Sequence, residues 1–241
     1  MVRIWHLNWW AAGGVAVLAG AGAFAWSAGY FDRDPSRYFD AGPRKPHLAA
    51  VLFSGDLGLR FGMSAHIATA LNEKGVPVLG ISSPAAFGTR RSRPQVDAIV
   101  ADAIRDAVAR TGAARIVLMG QSFGADVARV GLADLSPALR AKVAAAVLVV
   151  PGANAFFRAD PTNVTYHGAP DAGPAEARRI DWLPVLCVQG AQEHDSLCPL
   201  LHQPNVVKAV LPGGHFLAHD HEGLSHTIVV ALKPMLGGSW R

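Results

Sequence analysis

From residue 48 onward the chain alternates short apolar runs with longer stretches whose apolar residues recur at helical spacing. Residues 48–53 (LAAVLF), 76–82 (VPVLGIS), 115–119 (RIVLM), 144–150 (AAAVLVV), 185–189 (VLCVQ) and 206–211 (VVKAVL) read as strands. Between the first two, residues 62–74 predict a helix that stops at Gly75. Residues 95–110 carry the clearest helical pattern. Val96, Ile99, Val100, Ala103, Ile104, Ala107 and Val108 share one face, while Asp97, Asp102, Arg105, Asp106 and Arg110 fall largely off it. A further helix begins near Phe123, and residues 222–236 predict a terminal amphipathic helix. Residues 151–183 are rich in Pro, Gly and polar side chains and read as an insertion over the sheet. Apolar strands alternating with helices predict a parallel sheet covered on both faces.

The N-terminal pattern is different. Residues 9–30 hold no charged side chain, and Trp stands near both ends. A short basic stretch, the α-amine with Arg3, precedes them. An all-round apolar helix needs apolar surroundings on every side, so residues 1–30 read as a signal peptide or a membrane anchor. Ala23-Phe24-Ala25 resembles a small-x-small cleavage site. Either reading places the remainder outside the cytoplasm, exported or held at the membrane. Residues 31–46 (FDRDPSRYFDAGPRKP) read as a polar linker, and 47–241 as one catalytic-sized domain.

Composition narrows the function classes. Of 241 residues 51% are hydrophobic and 17% charged, which excludes a disordered chain. The net charge of +4 comes without a basic run interleaved with aromatics, so nucleic acid is not an expected partner.

The chemistry is carried by Gly120-Gln121-Ser122-Phe123-Gly124, a G-x-S-x-G set between an expected strand and an expected helix. In that setting the serine sits on a tight turn with its hydroxyl above the sheet. The amide of Phe123 then faces an oxyanion, helped by the helix N-terminus. This predicts the α/β-hydrolase fold with Ser122 as nucleophile. In this fold the acid and then the histidine follow in chain order. After the strand at 185–189, Glu193 and Asp195 both qualify as the acid. Asp195 is preferred because it stands four residues before Pro199, a common spacing in this fold. After the strand at 206–211, His215 follows a Gly-Gly turn directly, ahead of His219, His221 and His226. The expected triad is therefore Ser122, Asp195 and His215. The loop after residue 53, Ser54-Gly55-Asp56-Leu57-Gly58, offers the amide of Asp56 or Leu57 as the second oxyanion donor. The Asp56 side chain could contact a cationic substrate group or brace its own loop. His215, His219, Asp220 and His221 lack a metal-site spacing, and no metal or other cofactor is expected. Cys187 and Cys198, the only cysteines, are expected to form a disulfide bracing the acid loop in an exported protein.

FSGDLG (53–58), FGTRRSRPQ (87–95), GQSFGADV (120–127), DSLCP (195–199) and GGHF (213–216) together resemble the VirJ/AcvB family of periplasmic virulence-associated α/β hydrolases. The resemblance covers most of residues 48–236. It departs at Arg93-Pro94 and at Leu57, where a glycine is more usual. It implies hydrolysis of lysyl- or other aminoacyl-phosphatidylglycerol at a membrane surface, with Arg90 and Arg91 as candidate phosphate contacts. It also implies, as the alternative, an exported interaction protein working with secretion-system partners.

Overall fold

The computed structural model describes residues 9–42 and 46–237, so the basic stretch at the N-terminus lies outside the described residues. In chain order the elements are α1 (Trp9–Ala28), β1 (Ser36–Phe39), β2 (Leu48–Phe53), α2 (Gly62–Glu73), β3 (Val78–Ile81), α3 (Ser83–Phe87) and α4 (Arg93–Thr111). There follow β4 (Arg115–Gln121), α5 (Phe123–Ala133), α6 (Pro137–Arg140), β5 (Val143–Val149), α7 (Pro174–Arg178), β6 (Val185–Gly190), β7 (Val206–Leu211) and α8 (His221–Met235). The strands form one seven-stranded sheet in the order β1-β3-β2-β4-β5-β6-β7. All neighbours run parallel except β1, which pairs antiparallel with β3.

The apolar strands are buried because helices cover both faces. Ala49, Val51, Phe53, Ile116 and Leu118 point into a core with Val96, Val100 and Ile104 of α4 and Val127 of α5. Their neighbours Leu48, Ala50, Leu52, Val117 and Met119 point the other way, against Met63, Ile67 and Leu71 of α2 and Leu224, Ile228 and Leu232 of α8. Period-two alternation thus feeds two cores from the same strands. The helix α4 begins where the Gln95 side chain accepts the Ser92 amide at 2.8 Å, and it ends at Gly112 with φ 63°.

Two stretches differ from the sequence reading. The expected linker, residues 31–46, contributes edge strand β1, although residues 43–45 lie outside the described set. The strand Ser-Arg-Tyr-Phe is half open to solvent, so it lacks the continuous apolar run that marks its buried neighbours. The insertion at 151–183 holds α7 and places Phe157, Ala159, Ala172, Ala177 and Ile180 in the first core. It is therefore packed onto the domain rather than merely draped over it.

Register sets the site. Phe53 lies beside Gly120 and Gly120 beside Leu148, so the loops leaving β2, β4 and β5 open at one end of the sheet. Gly190 lies beside Leu211, which brings the loops after β6 and β7 to the same end.

Candidate active site

Ser122 connects β4 to α5 with φ 53° and ψ −124°, a left-handed conformation that costs free energy for a residue with a Cβ. The flanking glycines make this turn possible. A Cβ on Gly120 would lie 2.2 Å from the Gly124 carbonyl oxygen, and one on Gly124 would lie 2.2 Å from the Phe53 carbonyl oxygen. The turn is held by the Ser122 amide, which donates to Val149 O at 2.8 Å, and by the Ala125 and Asp126 amides, which donate back to Ser122 O. Phe123 heads α5, so its amide has no intrahelical acceptor and remains for an oxyanion. Its ring is buried edge-on against Phe87.

The second donor loop is tied to the elbow by a side chain that sequence reasoning missed. Gln121 Oε1 accepts the Gly55 amide at 3.1 Å and the Ser64 hydroxyl at 3.0 Å. Within the loop the Gly58 amide closes a turn on Gly55 O at 3.1 Å. Asp56 and Leu57 occupy its middle, where a turn leaves amides without an internal acceptor. The Asp56 carboxylate serves the loop itself. Its Oδ1 accepts the Tyr166 hydroxyl at 2.7 Å and the Asp160 amide at 2.8 Å, which ties the insertion to the oxyanion loop. Burial raises the Asp56 pKa above the ordinary carboxylate value, against the hydrogen bonds from Tyr166 and Asp160.

His215 reaches the elbow from the loop after β7. Its Nε2 lies 2.7 Å from Ser122 Oγ. Its Nδ1 lies 2.7 Å from Oε1 of Glu193, whose side chain is 4% exposed. The other Glu193 oxygen accepts the Gly190 amide at 3.2 Å. The expected acid, Asp195, does not make this contact. The tight turn from Gly190 to Glu193, closed by a 3.1 Å amide bond, puts residue 193 at the end of β6. Residues beyond it are drawn off toward the loop after β5. The Ala153 amide donates to Asp195 O, the Leu197 amide to Pro151 O, and Gly152 bridges to Ser196. Asp195 is left exposed and acts on His215 only through its charge. The aspartate–proline spacing carried no information about this stitching, and a glutamate three residues past a glycine at the strand end would have been the better signal.

Burial pulls the His215 pKa down, but the hydrogen bond and charge of Glu193, with the charges of Asp126 and Asp195, raise it above 6.5 overall. Close packing of glycines holds the two loops together. A Cβ on Gly190 would lie 2.3 Å from Gly214 O, and Gly213 has φ 89°. The Cys187–Cys198 disulfide is present, with Cα atoms 5.6 Å apart, and it closes the segment that carries Glu193.

A second feature the sequence did not signal lies one to two turns beyond Ser122. Arg129 is fully buried and donates to Gly173 O at 2.7 Å and Ala153 O at 3.1 Å. Asp126 lies 3.6 Å from its Nε, and burial pushes the Asp126 pKa up to about 7 against the pull of Arg129. This pair fastens the insertion to α5. Arg90 and Arg91 also have structural partners. Arg90 pairs with Asp171, and Arg91 donates from its amide to Phe157 O and from Nε to Ala86 O, both at 2.8 Å. His66 and His221 stack at 4.2 Å, and among the described residues no His, Cys, Asp or Glu group is arranged to hold a metal ion.

Residues 47–236 match the protein family described as "Bacterial virulence protein (VirJ)". No curated protein matches the chain. Among solved structures, Est1E from Butyrivibrio proteoclasticus superposes with a TM-score of 0.62 at 14% identity, over 84% of this chain and 94% of that one. The α/β hydrolase GrgF from Penicillium sp. sh18 gives 0.61 at 14% identity over 83% and 93%. A Pyrococcus furiosus esterase, Pf2001, gives 0.59 at 17% identity over 83% and 86%. At these identities the likeness is one of fold, and the fold is that of the α/β hydrolases.

Proposed function

Given that the chain belongs to the VirJ family of bacterial virulence proteins, we propose that it is a serine esterase built on Ser122, His215 and Glu193. The observation that carries this reading is the continuous relay from Ser122 Oγ through both nitrogens of His215 to Glu193, with 2.7 Å at each contact. His215 takes the serine proton as Ser122 attacks an ester carbonyl. The amides of Phe123 and of Asp56 or Leu57 receive the oxyanion. His215 then hands its proton to the leaving alcohol. A water that has lost its proton to His215 hydrolyses the acyl-enzyme, and the serine regains its hydrogen. Glu193 fixes the imidazole tautomer and stabilises the imidazolium throughout.

The substrate we propose is an aminoacyl-phosphatidylglycerol, whose amino acid is released by cleavage of its ester to the glycerol headgroup. Family resemblance supports this choice. So does an open site: the His215 side chain is 42% exposed, which suits an ester presented at a surface. The disulfide supports an oxidising, exported location.

The test is release of lysine from lysyl-phosphatidylglycerol vesicles, with fluorophosphonate labelling in parallel. Wild type should label and release lysine, and Ser122→Ala should do neither. Folded wild type that stays unlabelled would overturn the esterase reading and favour an exported binding role. Labelling without lysine release would overturn the substrate alone.

A further inference from the structure

The helix α1 stands clear of the domain along much of its length. Val15, Val17 and Leu18 are 67%, 72% and 74% exposed, and Phe24 and Trp26 are 47% and 69% exposed. At about 100° per residue, Val15 and Trp26 fall on one side of the helix and Val17 and Phe24 on the opposite side. A protein groove covers one stripe of a helix. A helix that is apolar and uncovered on opposite sides calls for an apolar medium around it. No charged side chain occurs from Trp9 to Tyr30. Among the described residues no helix is long and apolar enough to cross a membrane, so the inference concerns insertion and not crossing.

The far end of α1 is fastened to the catalytic end of the sheet. Arg60 Nη1 donates to the carbonyl oxygens of Trp26 and Ser27, each at 3.2 Å, and Nη2 pairs with Asp32 at 3.0 Å. A guanidinium there meets both the carbonyls of the last turn and the negative end of the helix dipole. Ala28 is 1% exposed. Its carbonyl oxygen lies 2.4 Å from where a Cβ on Gly58 would be, and Gly58 closes the oxyanion turn. Around this joint the aromatics are exposed, with Phe31 at 63% and Phe61 at 47%. The ring centroids of Trp26 and Phe31 lie 6.3 Å apart. On the histidine side of the mouth Phe216 is 56% exposed. Aromatic rings concentrate at the boundary between lipid and water, where one end is dry and the other wet.

We propose that α1 is retained as an anchor inserted in a lipid bilayer, and that its joint with the oxyanion loop turns the catalytic mouth toward the bilayer surface. Phe31 and Phe61 then lie at headgroup level. An ester carried by a membrane lipid reaches Ser122 without leaving its leaflet. The anchor and its orientation are independent of which ester is cleaved.

The experiment is flotation of the full chain with vesicles of phosphatidylethanolamine and phosphatidylglycerol. It is combined with turnover of a soluble p-nitrophenyl ester and of an ester carried in the vesicles. Wild type and Ser122→Ala should both float, so the outcome does not hang on catalysis. Val17→Asp with Leu18→Asp should abolish flotation while leaving soluble-ester turnover intact, which certifies the fold. Phe61→Asp should slow only the vesicle-borne ester, by about tenfold. Flotation of the double aspartate variant as wild type would overturn the proposal. So would failure of wild type to float, equal effects of Phe61→Asp on both substrates, or an N-terminus beginning after Ala25 in the protein recovered from cells.

Discussion

The elbow around Ser122 and the loop around Glu193 each deliver a residue of the proposed triad from the end of a buried parallel strand, yet they specify their residues by different means. At the elbow, the constraint is local. Two glycines sit where a Cβ would meet carbonyl oxygens at 2.2 Å, and a serine at φ 53° lies between them. Steric exclusion over five residues leaves one possible nucleophile. In the acid loop two carboxylates stand two residues apart, and the choice is made by distant partners. Pro151 and Ala153 pull residues 195–197 outward, and Gly190 holds Glu193 in. The lesson is that a residue fixed by excluded volume is legible in sequence, and one fixed by cross-loop hydrogen bonds is not.

The largest expected effect is at the elbow. Ser122→Ala should lower soluble-ester turnover by about a million-fold, the scale on which such triads act as a unit. A residual rate near wild type would place the nucleophile elsewhere.

The acid loop should fail through its covalent brace before its neighbours do. Replacing Cys187 and Cys198 together by alanine should cost about 2–5 kcal/mol of stability, read as a fall in the denaturant midpoint. It should also lower turnover, because the bond encloses the segment bearing Glu193. An unchanged midpoint would show that the cross-loop hydrogen bonds suffice alone.

A smaller effect is expected where the insertion meets the oxyanion loop. Tyr166→Phe removes the 2.7 Å bond to Asp56 and should cost about 1–3 kcal/mol, since it leaves a buried carboxylate short of a donor. Chemical denaturation measures the cost, and a change below the detection limit would mean that the Asp160 amide alone anchors Asp56.

The pH profile gives the mildest discrimination. His215 must be neutral to accept the serine proton, and its pKa lies above 6.5, so kcat/KM should rise with pH through a midpoint above that value. In stability the same pairing acts in the opposite sense. Its contribution is fully present below the unfolded value of about 6.5 and fades as pH climbs through the raised folded value. Glu193→Gln should move the kinetic midpoint down, and an upward shift would contradict the assignment.

The fold was legible wherever strands are buried on both faces. LAAVLF became β2, and VVKAVL became β7 without change of bounds. The edge strand β1 was not legible, because an exposed strand needs no apolar run and Pro35 and Gly42 suggested a break. In the site, the contact between Ser122 and His215 could be read from order and motif. Gln121 and Arg129 could not, since each acts on a loop far away in sequence, and Asp126 is drawn in with Arg129.

The central claim is that Glu193, and not Asp195, serves His215. The most direct test compares kcat/KM on one soluble ester for Glu193→Gln and Asp195→Asn. The structure predicts a loss of about a hundred- to ten-thousand-fold for the first, as when a triad carboxylate is neutralised, and near wild-type activity for the second. A severe loss in Asp195→Asn with Glu193→Gln near wild type would contradict it.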